Sequence, residues 1–158
     1  MTAKVPRTGR PAAARPVPHS KAASGVLLDT GVLVALYARD DPHHAGAVRW
    51  MAGFQGELHT VPSVLTEAAF FLPVRARAAL ADLAAAGRLH VHPLDRAGLG
   101  RIGVLLRKYA DLDPDWADVE LVLLAETTGI TRIATLDVAD FSVYRIHGRK
   151  RFELEMLR

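Results

Sequence analysis

The chain contains no cysteine. That excludes disulfides and thiolate metal sites, and it fits the reducing cytoplasm, which is the expected compartment. No apolar stretch approaches the roughly 20 residues of a membrane span, so no membrane anchor is expected. The N-terminus lacks the apolar core of a secretory signal, so export is not expected either. There is no internal repeat. Residues 1–24 lack any Asp or Glu, yet they carry Lys4, Arg7, Arg10, Arg15 and Lys21. The other 134 residues therefore hold 15 Lys and Arg against 17 acids, a net of −2. The basic pI belongs to the leading segment, and bulk charge gives no reason to expect nucleic-acid binding by the remainder.

What is present suits one domain. A length of 158 residues, half of them hydrophobic, can bury a real core and is not the composition of a disordered protein. Residues 1–24 contain Pro6, Pro11, Pro16 and Pro18 among Ala, Arg and Ser, with no helical or strand period. They read as a basic, Pro/Ala-rich flexible extension, either an unstructured leader or an arm that tracks RNA phosphates. Residues 25–158 read as the folded domain.

Along that domain, apolar runs of strand length alternate with helical periods. Strands are expected at Gly25–Leu28, Leu58–Val61, Leu89–His92, Ile130–Thr135 and Phe141–Ile146. Helices are expected at Gly31–Ala38, His43–Phe54, Pro62 to near Pro73, Val74–Ala86, Leu94–Tyr109 and Asp115–Thr127. Gly87 and Gly129 close two of them. Strands alternating with helices predict an α/β fold with a parallel sheet of about four or five strands.

Four acids stand at awkward places in this plan: Asp29, Glu67, Asp118 and Asp137. Asp29 ends the apolar strand Val26-Leu27-Leu28, and Asp137 follows the strand ending Ala134-Thr135-Leu136. Both would lie at the carboxyl edge of one sheet, where α/β proteins build their sites. Glu67 sits among Val64, Leu65, Ala68 and Phe70, and Asp118 beside Val119, Leu121 and Val122. Each has an ordinary explanation. Asp29 could cap a helix, Glu67 could face solvent, Asp118 could favour a helix N-terminus, and Asp137 could be a turn residue. Jointly they describe an acid cluster without His or Cys. An all-oxygen donor set suits Mg²⁺ or Mn²⁺ rather than Zn²⁺. Carboxylates crowded together should show raised pKa values while no cation is bound.

The same segments carry a family resemblance. Leu27-Leu28-Asp29-Thr30-Gly31-Val32-Leu33-Val34-Ala35-Leu36 resembles the opening of PIN-domain nucleases, VapC-like toxins in particular. Glu67 in Ser63-Val64-Leu65-Thr66-Glu67 is similar to their second acid, and Asp118 in Trp116-Ala117-Asp118-Val119-Glu120 to the third. Asp137 in Thr135-Leu136-Asp137-Val138-Ala139-Asp140-Phe141 is similar to the fourth. Two departures stand out: Val119 where the family often has Ala, and the extension at 1–24. The resemblance implies a three-layer α/β/α sandwich and a metal-dependent endoribonuclease acting on single-stranded or structured RNA. It also implies a toxin of a type II toxin–antitoxin pair, a homodimer, and a cognate antitoxin laid over the site. Asp29, Asp118 and Asp137 would hold Mg²⁺ (or Mn²⁺), with Glu67 either ligating or positioning the attacking water. An antitoxin helix could lie in grooves between the helices at 43–54 and 62–73.

Around this centre, Thr30 and Thr135 are candidates to orient carboxylates. Arg39, Arg75, Arg77 and Arg145 are candidate phosphate contacts, although solvated surface is the more ordinary reading of each. His43, His44, His90, His92 and His147 read as exposed or internally satisfied. Two classes compete with the nuclease. One is a non-catalytic PIN-fold RNA-binding or scaffold protein, which retention of all four acids disfavours. The other is a phosphotransfer domain with an Asp nucleophile, which would need a Lys near a strand end that the sequence does not supply.

Overall fold

Gly25–Leu28 form β1, and Val26, Leu27 and Leu28 are all fully buried. Burial on both sides of a strand means helices cover both faces of its sheet, as in parallel α/β architectures. The chain is described here by a computed structural model covering residues 25–155. The expected extension at 1–24 lies outside those residues. Its five strands are β1, β2 (Glu57–Thr60), β3 (His90–Val91), β4 (Arg132–Ala134) and β5 (Glu153–Glu155). All pair in parallel, in the order β3-β2-β1-β4-β5.

This order places a topological switch at β1 and β4. The chain runs outward from β1 through β2 to β3, then crosses back to lay β4 on the other side of β1. Connections from β1 and β4 leave in opposite directions, which opens a crevice beyond their carboxyl ends. Asp29 and Asp137 follow those two strands.

Among the described residues, seven α-helices complete the fold: α1 (Thr30–Tyr37), α2 (His44–Gly53), α3 (Pro62–Phe71), α4 (Val74–Ala85), α5 (Arg96–Lys108), α6 (Trp116–Thr128) and α7 (Val138–Val143). Their starts obey local chemistry. Asp29 and Asp95 accept backbone N–H bonds as N-caps of α1 and α5, and Pro62 stands in the first turn of α3. Gly129, at φ 77°, closes α6 in the left-handed conformation that glycine adopts without strain. Helix α6 is the buried spine, since Val119, Leu121, Val122 and Ala125 are sealed in the core.

One expected element is replaced. Phe141–Ile146 does not form the last strand. Val138–Val143 is helix α7, and the edge strand is β5, ten residues further on. Asp137 Oδ1 accepts the Asp140 N–H at 3.0 Å and starts the helix. Phe141 and Tyr144, three apart, then face the same core, packing edge-to-face with ring centroids 5.4 Å apart. The β-branched and aromatic run has strand propensity, but the cap and the i, i+3 burial prevail. Glu155 anchors β5, taking Arg132 Nε and Nη2 at 2.8 and 2.6 Å and Trp50 Nε1 at 3.3 Å.

Candidate active site

Asp29 is fixed by two donors. The Thr30 N–H reaches its Oδ1 at 2.6 Å, and the Thr135 hydroxyl reaches its Oδ2 at 2.7 Å. The Thr135 oxygen in turn accepts the Asp137 N–H at 2.9 Å, so the ends of β1 and β4 are tied through one hydroxyl. Thr30 Oγ1 donates to Glu67 Oε2 at 2.8 Å, linking the start of α1 to α3. Tyr144 OH donates to Asp118 Oδ2 at 3.2 Å, linking the end of α7 to α6. The carboxylates of four separate elements are thus each held by a neighbouring hydroxyl or amide. Thr30 and Thr135 were legible as orienting hydroxyls; Tyr144 was not, because its stretch reads as a strand.

All four acids line one open cleft of about 780 Å³. Asp41, Asp113, Asp115 and Asp140 line it too, and no Lys or Arg does among the described residues. Eight carboxylates without a cation raise the cost of ionising each one. Burial drives the Asp29 pKa up, the Thr135 and Thr30 hydrogen bonds hold it back, and the charges of Glu67 and Asp137 add to the rise. Asp118 is pushed up to about 7, first by burial and then by Asp29 and Asp115, against the Tyr144 hydrogen bond.

Among the described residues, no three His, Asp or Glu side chains stand at the spacing of an assembled metal centre. The donor chemistry nonetheless suits a hard cation: carboxylate oxygens only, in surplus, converging from β1, α3, α6 and the end of β4. Their present spacing is set by the threonine and tyrosine hydroxyls, whose bonds a bound cation would compete with.

The candidate cations fall into two groups. Arg77 Nε bonds the Leu72 carbonyl at 2.6 Å, and Arg145 Nη1 bonds three carbonyls at the end of α7. Those two serve the backbone. Arg39 and Arg75 line a second cavity, of about 880 Å³, which shares Phe71 with the acidic cleft.

Among the described residues, His44, His59 and His92 are internally bonded, while His43, His90 and His147 are exposed. His44 bonds the Ala35 carbonyl at 2.7 Å. His90 and His92 meet His59 of β2: His59 Nδ1 and His92 Nε2 share a hydrogen bond of 3.0 Å, and His90 stacks on His59 at 5.1 Å. Burial, then the charges of His92 and His90, push His59 down to about 4. A Cβ on Gly25 would stand 2.8 Å from His59 Nε2, so only glycine lets this ring lie against β1.

The profile of the PIN domain family matches residues 26–145. No match was found among curated proteins. Among solved structures the chain resembles that of VapC20 of Mycobacterium tuberculosis, described as a sarcin-ricin loop cleaving toxin. The TM-score is 0.68 at 18% sequence identity, over 77% of this chain and 97% of that one. At that identity the likeness concerns the fold.

Proposed function

The chain belongs to the PIN domain family, and from that membership and the acidic cleft we propose that it is a metal-dependent endoribonuclease, the toxin of a toxin–antitoxin pair. The observation that carries this reading is the convergence of Asp29, Glu67, Asp118 and Asp137 on one cleft at the switch point of a parallel sheet. These four residues would hold Mg²⁺ or Mn²⁺. Once bound, the cation supplies positive charge against the phosphodiester and favours ionisation of the attacking water.

The chain's own residues do the rest. Thr135 and the Thr30 amide aim both oxygens of Asp29, Thr30 Oγ1 aims Glu67, and Tyr144 aims Asp118. Such orientation keeps reorganisation small when charge develops. Arg39 and Arg75, beside the cleft, take phosphates flanking the scissile bond. RNA is thereby held by cations at the rim while the acidic centre stays free for the metal.

The partner surface follows from exposed apolar side chains. Phe70, Phe71 and Val74 are 80%, 61% and 74% exposed at the turn between α3 and α4, next to the cleft. An antitoxin helix with an apolar face would cover them, and an Arg carried with it would reach the carboxylates. A second copy of the chain completes a homodimer, and the cytoplasm supplies both RNA and metal.

Induced expression in a bacterial host tests the proposal. Growth should stop, and sequencing of cellular RNA 5′ ends should show new internal cuts at a small number of positions. Asp118→Asn should restore growth and remove the cuts. Unchanged growth and unchanged RNA ends, with the protein folded and abundant, would contradict the toxin reading.

A further inference from the structure

Helix α6 carries acids on two sides. Asp118 opens onto the cleft, while Glu120, two residues on, is turned about 200° around the helix axis. Glu120 lines a separate cavity of about 270 Å³ between the end of β2, the loop after β3, α5 and α6. It is only 3% exposed, yet it has no hydrogen bond or ion pair among the described residues. Its carboxylate is not sealed away. Among buried side-chain atoms shut off from solvent, only Ser63 Oγ lacks a partner in the described residues. Its carboxylate therefore keeps some exposure, and the residue lines this cavity. A carboxylate so placed, without a donor, is costly unless something supplies one.

The rest of the cavity indicates what that donor is. Asp95 adds a second carboxylate; its Oδ1 caps α5 through the Gly98 N–H at 2.7 Å. His92 presents its ring, with Nε2 already engaged by His59. The walls are aliphatic, from Val61, Leu123 and Leu124, and among the described residues no Lys or Arg lines the cavity. A metal ion would gain nothing from aliphatic walls, and no three ligating side chains stand at metal spacing among the described residues. An organic cation uses both features, because its head pairs with carboxylates and its methylenes lie on the leucines.

We propose that this cavity binds an ammonium or guanidinium group on an aliphatic stem, with Glu120 as counter-ion. The site is separate from the nuclease centre, shares only α6 with it, and does not depend on the activity of that centre. The bound group could be a free amine or the Lys or Arg side chain of another protein.

Titration of the full chain, ¹³C-labelled at leucine methyls and saturated with Mg²⁺, tests this by NMR. Agmatine serves as the free amine and N-acetyl-arginine-N-methylamide as the protein-like side chain. Either should shift the Leu123 and Leu124 methyls saturably below about 10 mM, and neutral N-butylurea should not. Tighter binding of agmatine assigns the site to free amines, and equal or tighter binding of the blocked arginine assigns it to a partner side chain. Glu120→Gln should weaken binding at least about tenfold. Thr127→Lys, at an exposed position seven residues along the same helix face, should also block it by offering its own ammonium. Shifts that persist in both variants, or the absence of saturable shifts with both cations, would overturn the proposal.

Discussion

At the scale of single residues, the threonines decide how well the acids are aimed. Thr135 donates to Asp29 and accepts from the Asp137 amide, so its hydroxyl serves two carboxylate-bearing positions. Thr135→Val keeps the shape and removes both bonds. It should lower RNA cleavage by about 10- to 100-fold, the usual consequence of losing a group that orients a ligand. It should leave the far-UV circular dichroism unchanged. Cleavage at the wild-type rate would mean that Asp29 is aimed by the Thr30 amide alone. The four acids were legible because each interrupts an apolar segment, and burial of a charge there needs a reason. Tyr144 was not legible, since a tyrosine in an aromatic, β-branched run has no mark that separates a sheet residue from one bonded to a distant Asp. His59 escaped notice for a similar reason. Nothing in Glu57–Thr60 signals that β3 will bring His90 and His92 beside it.

At the scale of elements, the helix at the end of the matched region is held by aromatic packing. Phe141 is 1% exposed and meets Tyr144 and Phe152 edge-to-face. Phe141→Ala should cost about 3–5 kcal/mol in chemical denaturation, the range for emptying an aromatic site in a core. It should also reduce cleavage, because Tyr144 would lose the packing that holds its hydroxyl on Asp118. The starts of α1 and α3 were readable from Asp29 and Pro62, and the end of α6 from Gly129; the Asp95 cap of α5 was not, because the apolar period already begins at Leu94. β5 was not readable, since Glu153-Leu154-Glu155 is three residues of mixed character. It is a strand because Arg132 of β4 and Trp50 of α2 bind Glu155, partners that lie 23 and 105 residues away in sequence. Helices α5 and α6 are tied in the same long-range way. Arg101 forms a two-pronged pair with Glu126 at 2.9 and 2.8 Å, and the His147 amide adds a third bond at 2.9 Å. Burial alone would raise the Glu126 pKa, but Arg101 and His147 reverse that and hold it low. Its contribution to stability is therefore present above the unfolded carboxylate value and lost as pH falls through the lower folded one.

At the scale of the whole molecule, the sheet order β3-β2-β1-β4-β5 converts four weak signals into one cleft. Alternation of strands and helices made the parallel sheet legible. The crossing from β3 to β4, which creates the switch point, is a matter of topology that no single segment carries. The cleft's surplus of negative charge has a measurable consequence. Asp118 has a folded pKa raised from 3.8 to about 7. The folded state thus binds its proton more tightly than the unfolded chain, and this favourable term is lost as pH rises between those values. His59, pushed down to about 4, works in the opposite direction over a similar interval. The comparison must therefore be between wild type and Asp118→Asn. In EDTA, the stability gained by the substitution should grow from pH 4 to pH 7, as followed by urea denaturation. With saturating Mn²⁺ at pH 7 the wild type should recover stability and the variant should recover less. A gap that does not change with pH would show that Asp118 is not under strain from its neighbours.

The central claim is that these four carboxylates hold a divalent cation that drives RNA cleavage. It is tested most directly by incubating end-labelled single-stranded RNA with the purified chain and Mg²⁺ or Mn²⁺, beside the same reaction in EDTA and the same reaction with Asp118→Asn. Internal cuts should form only with metal, and the variant should be slower by about a hundredfold or more, since it loses ligand charge at the metal. Equal cutting in EDTA, or full activity of Asp118→Asn, would contradict a metal-dependent centre. RNA that is bound but never cut with either metal would instead mark the chain as a non-catalytic member of its family.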